Sequence, residues 1–197
     1  MKFLGQGYYR LTWYVENWLL KFLFGLKIKG RQKIPEKGGV IIVSNHLSYL
    51  DPPLLGAAVN REIYFLAKEE LFKHNRIFTW LLTAFNAIPL KRGGGNKKAI
   101  KTALEVLKTD RILAIFPEGT RSKTGKLLPM KSGAAWLASL TKVPILPVYI
   151  KGSNKSLLSL FLHQEKLEVT FGNLIFGGKK DHLQIITAIE REIRLLA

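Results

Sequence analysis

Apolar and polar positions divide this chain into short continuous apolar runs and longer stretches of helical period. After the turn-forming Pro35-Glu36-Lys37-Gly38-Gly39, the run Val40-Ile41-Ile42-Val43 is apolar throughout, the pattern of a strand covered on both faces. Similar runs recur at 62–67, 87–90, 112–116, 143–150 and 167–171. Helical patterns lie between several of them. Ile100, Ala103, Leu104 and Leu107 make one apolar face, with Lys97, Lys98, Lys101 and Lys108 elsewhere on that helix. A second helix is predicted over 133–140. A third is predicted to bury Leu183, Ile186, Ile189, Ile193 and Leu196, with Asp181 as its N-cap. Gly93-Gly94-Gly95 reads as a flexible loop before the helix that starts near Asn96. Buried strands alternating with helices predict an α/β fold: a mixed, largely parallel sheet flanked by helices.

The N-terminal pattern is different. From Tyr8 to Leu26 nearly every residue is aliphatic or aromatic, but Arg10, Glu16, Asn17 and Lys21 interrupt any run long enough to span a bilayer. Arg10, Asn17 and Lys21 share one narrow stripe of a helical wheel, and Tyr8, Tyr9, Trp13, Tyr14 and Trp18 suit the headgroup boundary. The pattern predicts an amphipathic helix lying in the membrane interface, with packing on the protein's own core as the alternative. Residues 1–30 are therefore expected to form an interfacial helical segment, and 31–197 the globular domain.

Charge sharpens this picture. The 197 residues carry 31 Lys+Arg against 14 Asp+Glu, a formal net charge of +17, which calls for an anionic partner: nucleic acid, a membrane surface or phosphorylated substrates. Lys27, Lys29, Arg31 and Lys33 directly follow the aromatic segment, and each is worth roughly 1 kcal/mol near an anionic bilayer. Together these favour a membrane surface over nucleic acid, as the aromatic residues are not interleaved with basic patches. The absence of cysteine excludes thiol catalysis and disulfides. His46, His74, His163 and His182 show no metal-ligand spacing, so no metal is expected.

Two strand ends carry candidate chemistry. The first leads into Ser44-Asn45-His46-Leu47-Ser48-Tyr49-Leu50-Asp51-Pro52-Pro53. Ligands of open α/β sheets gather beyond the carboxyl ends of strands, and a histidine there can accept a proton from a hydroxyl near neutral pH. A carboxylate five residues on could fix its tautomer; equally, Asp51 followed by Pro52 is an ordinary helix start. The second is Ile112-Leu113-Ala114-Ile115-Phe116 running into Pro117-Glu118-Gly119-Thr120-Arg121-Ser122. Arg121 is a fork-shaped cation suited to phosphate, and Gly119 permits a tight turn. Glu118 could accept from an acceptor hydroxyl or orient Arg121. There is no G-x-S-x-G elbow, and Gly119…Gly125-Lys126 has the wrong spacing for a P-loop.

Taken together, these residues resemble the glycerolipid acyltransferases. Asn45-His46…Asp51 is similar to their H-x4-D block, and Phe116-Pro117-Glu118-Gly119-Thr120-Arg121-Ser122 to their second hallmark. Ala87-Ile88-Pro89-Leu90-Lys91-Arg92 and Val143-Pro144-Ile145-Leu146-Pro147-Val148 resemble two further blocks, as do Lys131-Ser132-Gly133-Ala134 and Gly152-Ser153. The blocks keep family order over about residues 38–153 and look most like the lysophosphatidic acid acyltransferases; Asn86 stands where the second block often has glycine.

The resemblance implies acyl transfer from acyl-CoA or acyl-carrier protein to the sn-2 hydroxyl of a lysophospholipid, lysophosphatidic acid above all. His46 would be the base and Asp51 its partner. Arg92, Arg121 and Lys68 would hold the acceptor phosphate, and Glu118, Gly119 and Thr120 would contact substrate. No cofactor is implied, and backbone amides near Gly119 are candidate oxyanion donors. The protein is expected to be peripheral or monotopic on the cytoplasmic face of a membrane. Alternatives are an acyltransferase acting on glycerol 3-phosphate or another lysophospholipid and, more remotely, a non-catalytic basic protein binding membrane or RNA.

Overall fold

The apolar runs become strands. In this computed structural model, which describes residues 20–73, 75–91, 96–178 and 181–197, the strands are β1 (Lys27–Lys29), β2 (Val40–Ser44), β3 (Ile63–Lys68), β4 (Ala87–Leu90), β5 (Ile112–Ile115), β6 (Ile145–Lys151) and β7 (Glu168–Phe171). They form one sheet in the order β1-β7-β6-β2-β5-β3-β4. β6, β2, β5, β3 and β4 are mutually parallel, and β7 returns antiparallel to β6 with β1 parallel to β7. The sheet is mixed and largely parallel, as expected. The helices are α1 (Asp51–Ala58), α2 (Arg76–Ala84), α3 (Lys97–Leu107), α4 (Gly133–Thr141), α5 (Leu157–Phe161) and α6 (His182–Leu196).

Two layers of helices explain the continuous apolar runs. Val40 and Ile42 point to the face covered by Leu54 and Leu55 of α1 and Leu160 of α5. Ile41 and Val43 point to the opposite face, against Ala103 and Leu107 of α3, Ala135 of α4, and Ile189 and Ile193 of α6. The four apolar side chains of β2 are fully buried, each worth about 1.5–3 kcal/mol relative to exposure.

Local rules account for much of the detail. Asp181 caps α6 in a reciprocal capping box with Gln184. The buried face of α6 is Ile185, Ile189 and Ile193, however, while Leu183 is 71% exposed, so the expected face is corrected by part of a turn. Asn86 has φ 51°, a left-handed conformation that glycine adopts freely and asparagine tolerates best among the other residues. Asparagine can therefore stand in for glycine there at a small backbone cost.

Other features went unanticipated. β1 lies inside the segment expected to be interfacial, and Lys29 there pairs with Glu168 at 2.8 Å. The expected boundary after residue 30 therefore falls behind a strand that belongs to the sheet. α2 projects Ile77 and Trp80 into solvent. The aromatic segment before residue 20, together with Arg92 and Gly93 to Gly95, lies outside the described residues. Among the described residues no helix is long and apolar enough to cross a membrane.

Candidate active site

Register brings the two candidate loops together. β2 and β5 are adjacent parallel strands with Val43 opposite Ile115, so their carboxyl ends deliver His46 and Glu118 side by side. β6 lies on the other flank of β2, with Ser44 opposite Val148, and delivers the 152–156 loop to the same edge.

The histidine is held from three sides. Its Nδ1 lies 2.7 Å from Asp51 Oδ2, and since a carboxylate only accepts, Nδ1 carries the proton and Nε2 presents its lone pair. Nε2 makes no hydrogen bond among the described residues. Phe116 stacks on the imidazole, with centroids 4.2 Å apart and planes 20° from parallel. The His46 amide donates to Glu118 Oε1 at 2.8 Å, and the His46 carbonyl accepts from the Ser122 amide at 2.8 Å.

Asp51 is fully buried. The same Oδ2 also accepts from the amides of Leu47 at 2.6 Å and Ser48 at 2.8 Å, so the carboxylate organises the loop that carries its own partner. Asp51 is the first residue of α1 rather than its cap. The capping position is Leu50, and the aspartate side chain turns back to the loop. The favourable end of the α1 dipole supports negative charge there.

The second loop is held by backbone hydrogen bonds. Glu118 is buried and spends its oxygens on backbone, Oε1 on His46 and Oε2 on the Leu128 amide at 2.9 Å. It forms no ion pair with Arg121. Burial pushes its carboxyl above the usual range, opposed by the two amide hydrogen bonds. Glu118 therefore joins the two loops. Arg121 is exposed, and its guanidinium carbon lies over Tyr49, 3.7 Å from the ring centroid. Gly119 has φ 66°, and a Cβ there would come within 2.9 Å of Lys131 Nζ. Its amide is committed to the Phe116 carbonyl at 3.0 Å, so this amide is not a spare oxyanion donor. Thr120 is exposed beside it.

Lys68 ends β3 at the same carboxyl edge, with β5 between it and β2. Arg92 lies outside the described residues. No cluster of three or more His, Asp or Glu side chains arranged to hold a metal occurs among the described residues.

Residues 25–151 match the family model described as Acyltransferase, which covers more than half of the chain. The chain belongs to the acyltransferase family. It is similar to the 1-acyl-sn-glycerol-3-phosphate acyltransferase of Bacillus subtilis, at 30% identity over 84% of this chain and 81% of that protein. It is also similar to the enzyme of that name from Streptococcus pneumoniae, at 37% identity over 73% of this chain and 53% of that one. Its fold resembles the crystal structure of the 1-acyl-sn-glycerophosphate acyltransferase of Thermotoga maritima, with a TM-score of 0.74, 25% identity, and coverage of 97% of this chain and 81% of that one.

Several residues that shape the acyltransferase site carried no local signal. Asn45 is buried and exchanges two hydrogen bonds with the backbone of Ile150, donating at 2.9 Å and accepting at 2.8 Å. Phe116 and Tyr49 act as platforms for His46 and Arg121. Their partners are remote in sequence or across a turn, so only their place in the motif blocks could have singled them out.

Proposed function

We propose that this acyltransferase transfers a fatty acyl group from an acyl thioester, acyl-CoA or acyl-carrier protein, to the sn-2 hydroxyl of lysophosphatidic acid, making phosphatidic acid. One observation carries the mechanism: His46 is clamped to the buried Asp51 through Nδ1 and keeps Nε2 unpartnered among the described residues. Nε2 takes the hydroxyl proton as the oxygen attacks the thioester carbon. The resulting imidazolium is stabilised by Asp51 and then returns the proton to the departing thiolate. One ester forms and one thioester breaks. The names of the relatives support the acceptor, and the exposed Arg121, placed over Tyr49, suits the acceptor phosphate. Lys68 and Arg92 are further cations for it, with Gly119 and Thr120 at its edge.

The acceptor is a membrane lipid, and the surface around the site suits an anionic bilayer. On one flank Tyr49 packs edge-on against Phe78 of α2, beside the exposed Ile77 and Trp80 and the basic Arg76. On the other, Leu157, Leu158 and Phe161 of α5 are exposed near Lys155. Apolar side chains rimmed by lysine and arginine are the composition of an interfacial docking surface.

Thiol release with lysophosphatidic acid and a ladder of acyl thioesters tests the proposal. His46→Ala should lower kcat by roughly 10²–10⁴, the usual worth of a general base, with the fold retained by circular dichroism. Substantial residual turnover would remove His46 as the base.

A further inference from the structure

A groove of about 310 Å³ opens at Leu47, the residue after His46, where the loops after β2, β5 and β6 meet. Leu47 and Leu157 form apolar walls, and Ser48, Arg121, Ser153 and Lys155 supply its polar lining. Ser153 is 1% exposed, and its Oγ has no hydrogen-bond partner among the described residues. A buried hydroxyl left unpaired costs about 1–3 kcal/mol, so its retention calls for an explanation.

The position of Ser153 is constrained. Gly152 before it has φ 84°, and a Cβ there would come within 2.1 Å of the Lys166 carbonyl oxygen, so the loop follows a course open only to glycine. Two residues before Gly152, Ile150 is locked to Asn45, the neighbour of His46. The 152–155 loop is thereby tied to the catalytic loop through fixed backbone contacts.

Substrate geometry says what belongs in the groove. Four covalent bonds separate the sn-2 oxygen of lysophosphatidic acid from its phosphorus, so an acceptor with its hydroxyl at His46 must lodge its phosphate in the immediate surroundings. Lys155 at the rim already pairs with Glu165 at 2.7 Å. Arg121 has no ion-pair partner among the described residues. Ser48 Oγ accepts from the Leu50 amide and keeps its proton to donate.

We propose that Ser153 is a specificity-determining residue, whose hydroxyl donates to the phosphomonoester of the acceptor together with Arg121. Because the hydroxyl has no partner among the described residues, a χ1 rotation that brings Oγ to the groove breaks no bond. This assignment rests on the reading of lysophosphatidic acid as acceptor. The 3′-phosphate of coenzyme A has the same chemistry, so acceptor and donor must be varied separately.

The test is Ser153→Ala, assayed by thiol release with lysophosphatidic acid, with neutral 1-monoacylglycerol, and with the thioester varied at saturating acceptor. Loss of one hydrogen bond to a charged group should raise KM for lysophosphatidic acid about tenfold or more, with kcat within about twofold and KM for the thioester unchanged. Any turnover of monoacylglycerol should be unaffected. The melting temperature should hold or rise, since the free protein loses no hydrogen bond. An unchanged KM for lysophosphatidic acid overturns the assignment, as does a rise confined to the thioester or a marked fall in melting temperature. If the wild-type protein consumes no lysophosphatidic acid, the acceptor reading fails first and the role of Ser153 with it.

Discussion

Asp51→Asn separates the two roles that one carboxylate combines. In the wild-type protein Oδ2 accepts from His46 Nδ1 and from the amides of Leu47 and Ser48, while the buried Oδ1 has no partner. Asparagine can place its carbonyl oxygen where Oδ2 stands and keep all three donors. Its NH2 then replaces an unpartnered carboxylate oxygen in the same buried place. One orphan is exchanged for another and a buried charge is removed, so stability should change by no more than about 1 kcal/mol. The catalytic consequence is much larger. When Nε2 accepts the substrate proton, the imidazolium faces a neutral amide instead of a carboxylate. Two unit charges about 4 Å apart at an effective dielectric near 20 attract by about 4 kcal/mol, and each 1.4 kcal/mol is tenfold in rate. Allowing for the neutral hydrogen bond that survives, kcat should fall roughly 10²–10³-fold. The assay is thiol release at saturating lysophosphatidic acid and thioester, paired with thermal unfolding. A fall of less than about tenfold would refute Asp51 as the electrostatic partner of His46. A large fall accompanied by a comparable loss of stability would refute the separation, making Asp51 a scaffold residue whose loss merely unfolds the loop.

Two further perturbations probe the clamps around the dyad. Asn45→Ala strands the N–H and C=O of Ile150 in the core, at about 1–3 kcal/mol each, and should lower both melting temperature and kcat; a change below about 1 kcal/mol would show that the two loops hold without it. For Glu118 the sign follows from burial. A carboxyl raised above its ordinary value binds more protons folded than unfolded between those two values, so stability falls as pH rises through that window. Wild-type protein should therefore gain stability relative to Glu118→Gln as pH is lowered from neutrality toward 4.5, measured by paired thermal unfolding. A flat or opposite trend would contradict a buried, ionisable clamp.

The reach of local information shows in particular elements. The pair His46 and Asp51 is five residues apart across one turn, so its chemistry was readable once the second motif block supplied context. Asp181 with Gln184 obeys a capping rule confined to four residues. The strength of the β2 run followed from four consecutive apolar residues that two faces must cover. The α6 face was harder, since Leu183, Ile185 and Ile186 are all apolar and period alone leaves the exact stripe open. The sheet and its packed helices decide that Ile185 is the one buried.

Other relations had no local signature. Glu118 reads as a substrate contact in a motif, yet its oxygens are taken by amides of His46 and Leu128, the first 72 residues away. Asn45 binds Ile150 across 105 residues, and the hydroxyl of Ser153 is unpaired only because of what surrounds it. β1 pairs with β7 from the far end of the chain. By itself, then, the amino-acid sequence determined the α/β class, the pairing of His46 with Asp51 and the motif blocks, because these depend on short spacings along the chain. Strand order alone decided which loop ends meet and which polar atoms find partners, because hydrogen bonding and burial depend on position in space rather than along the chain.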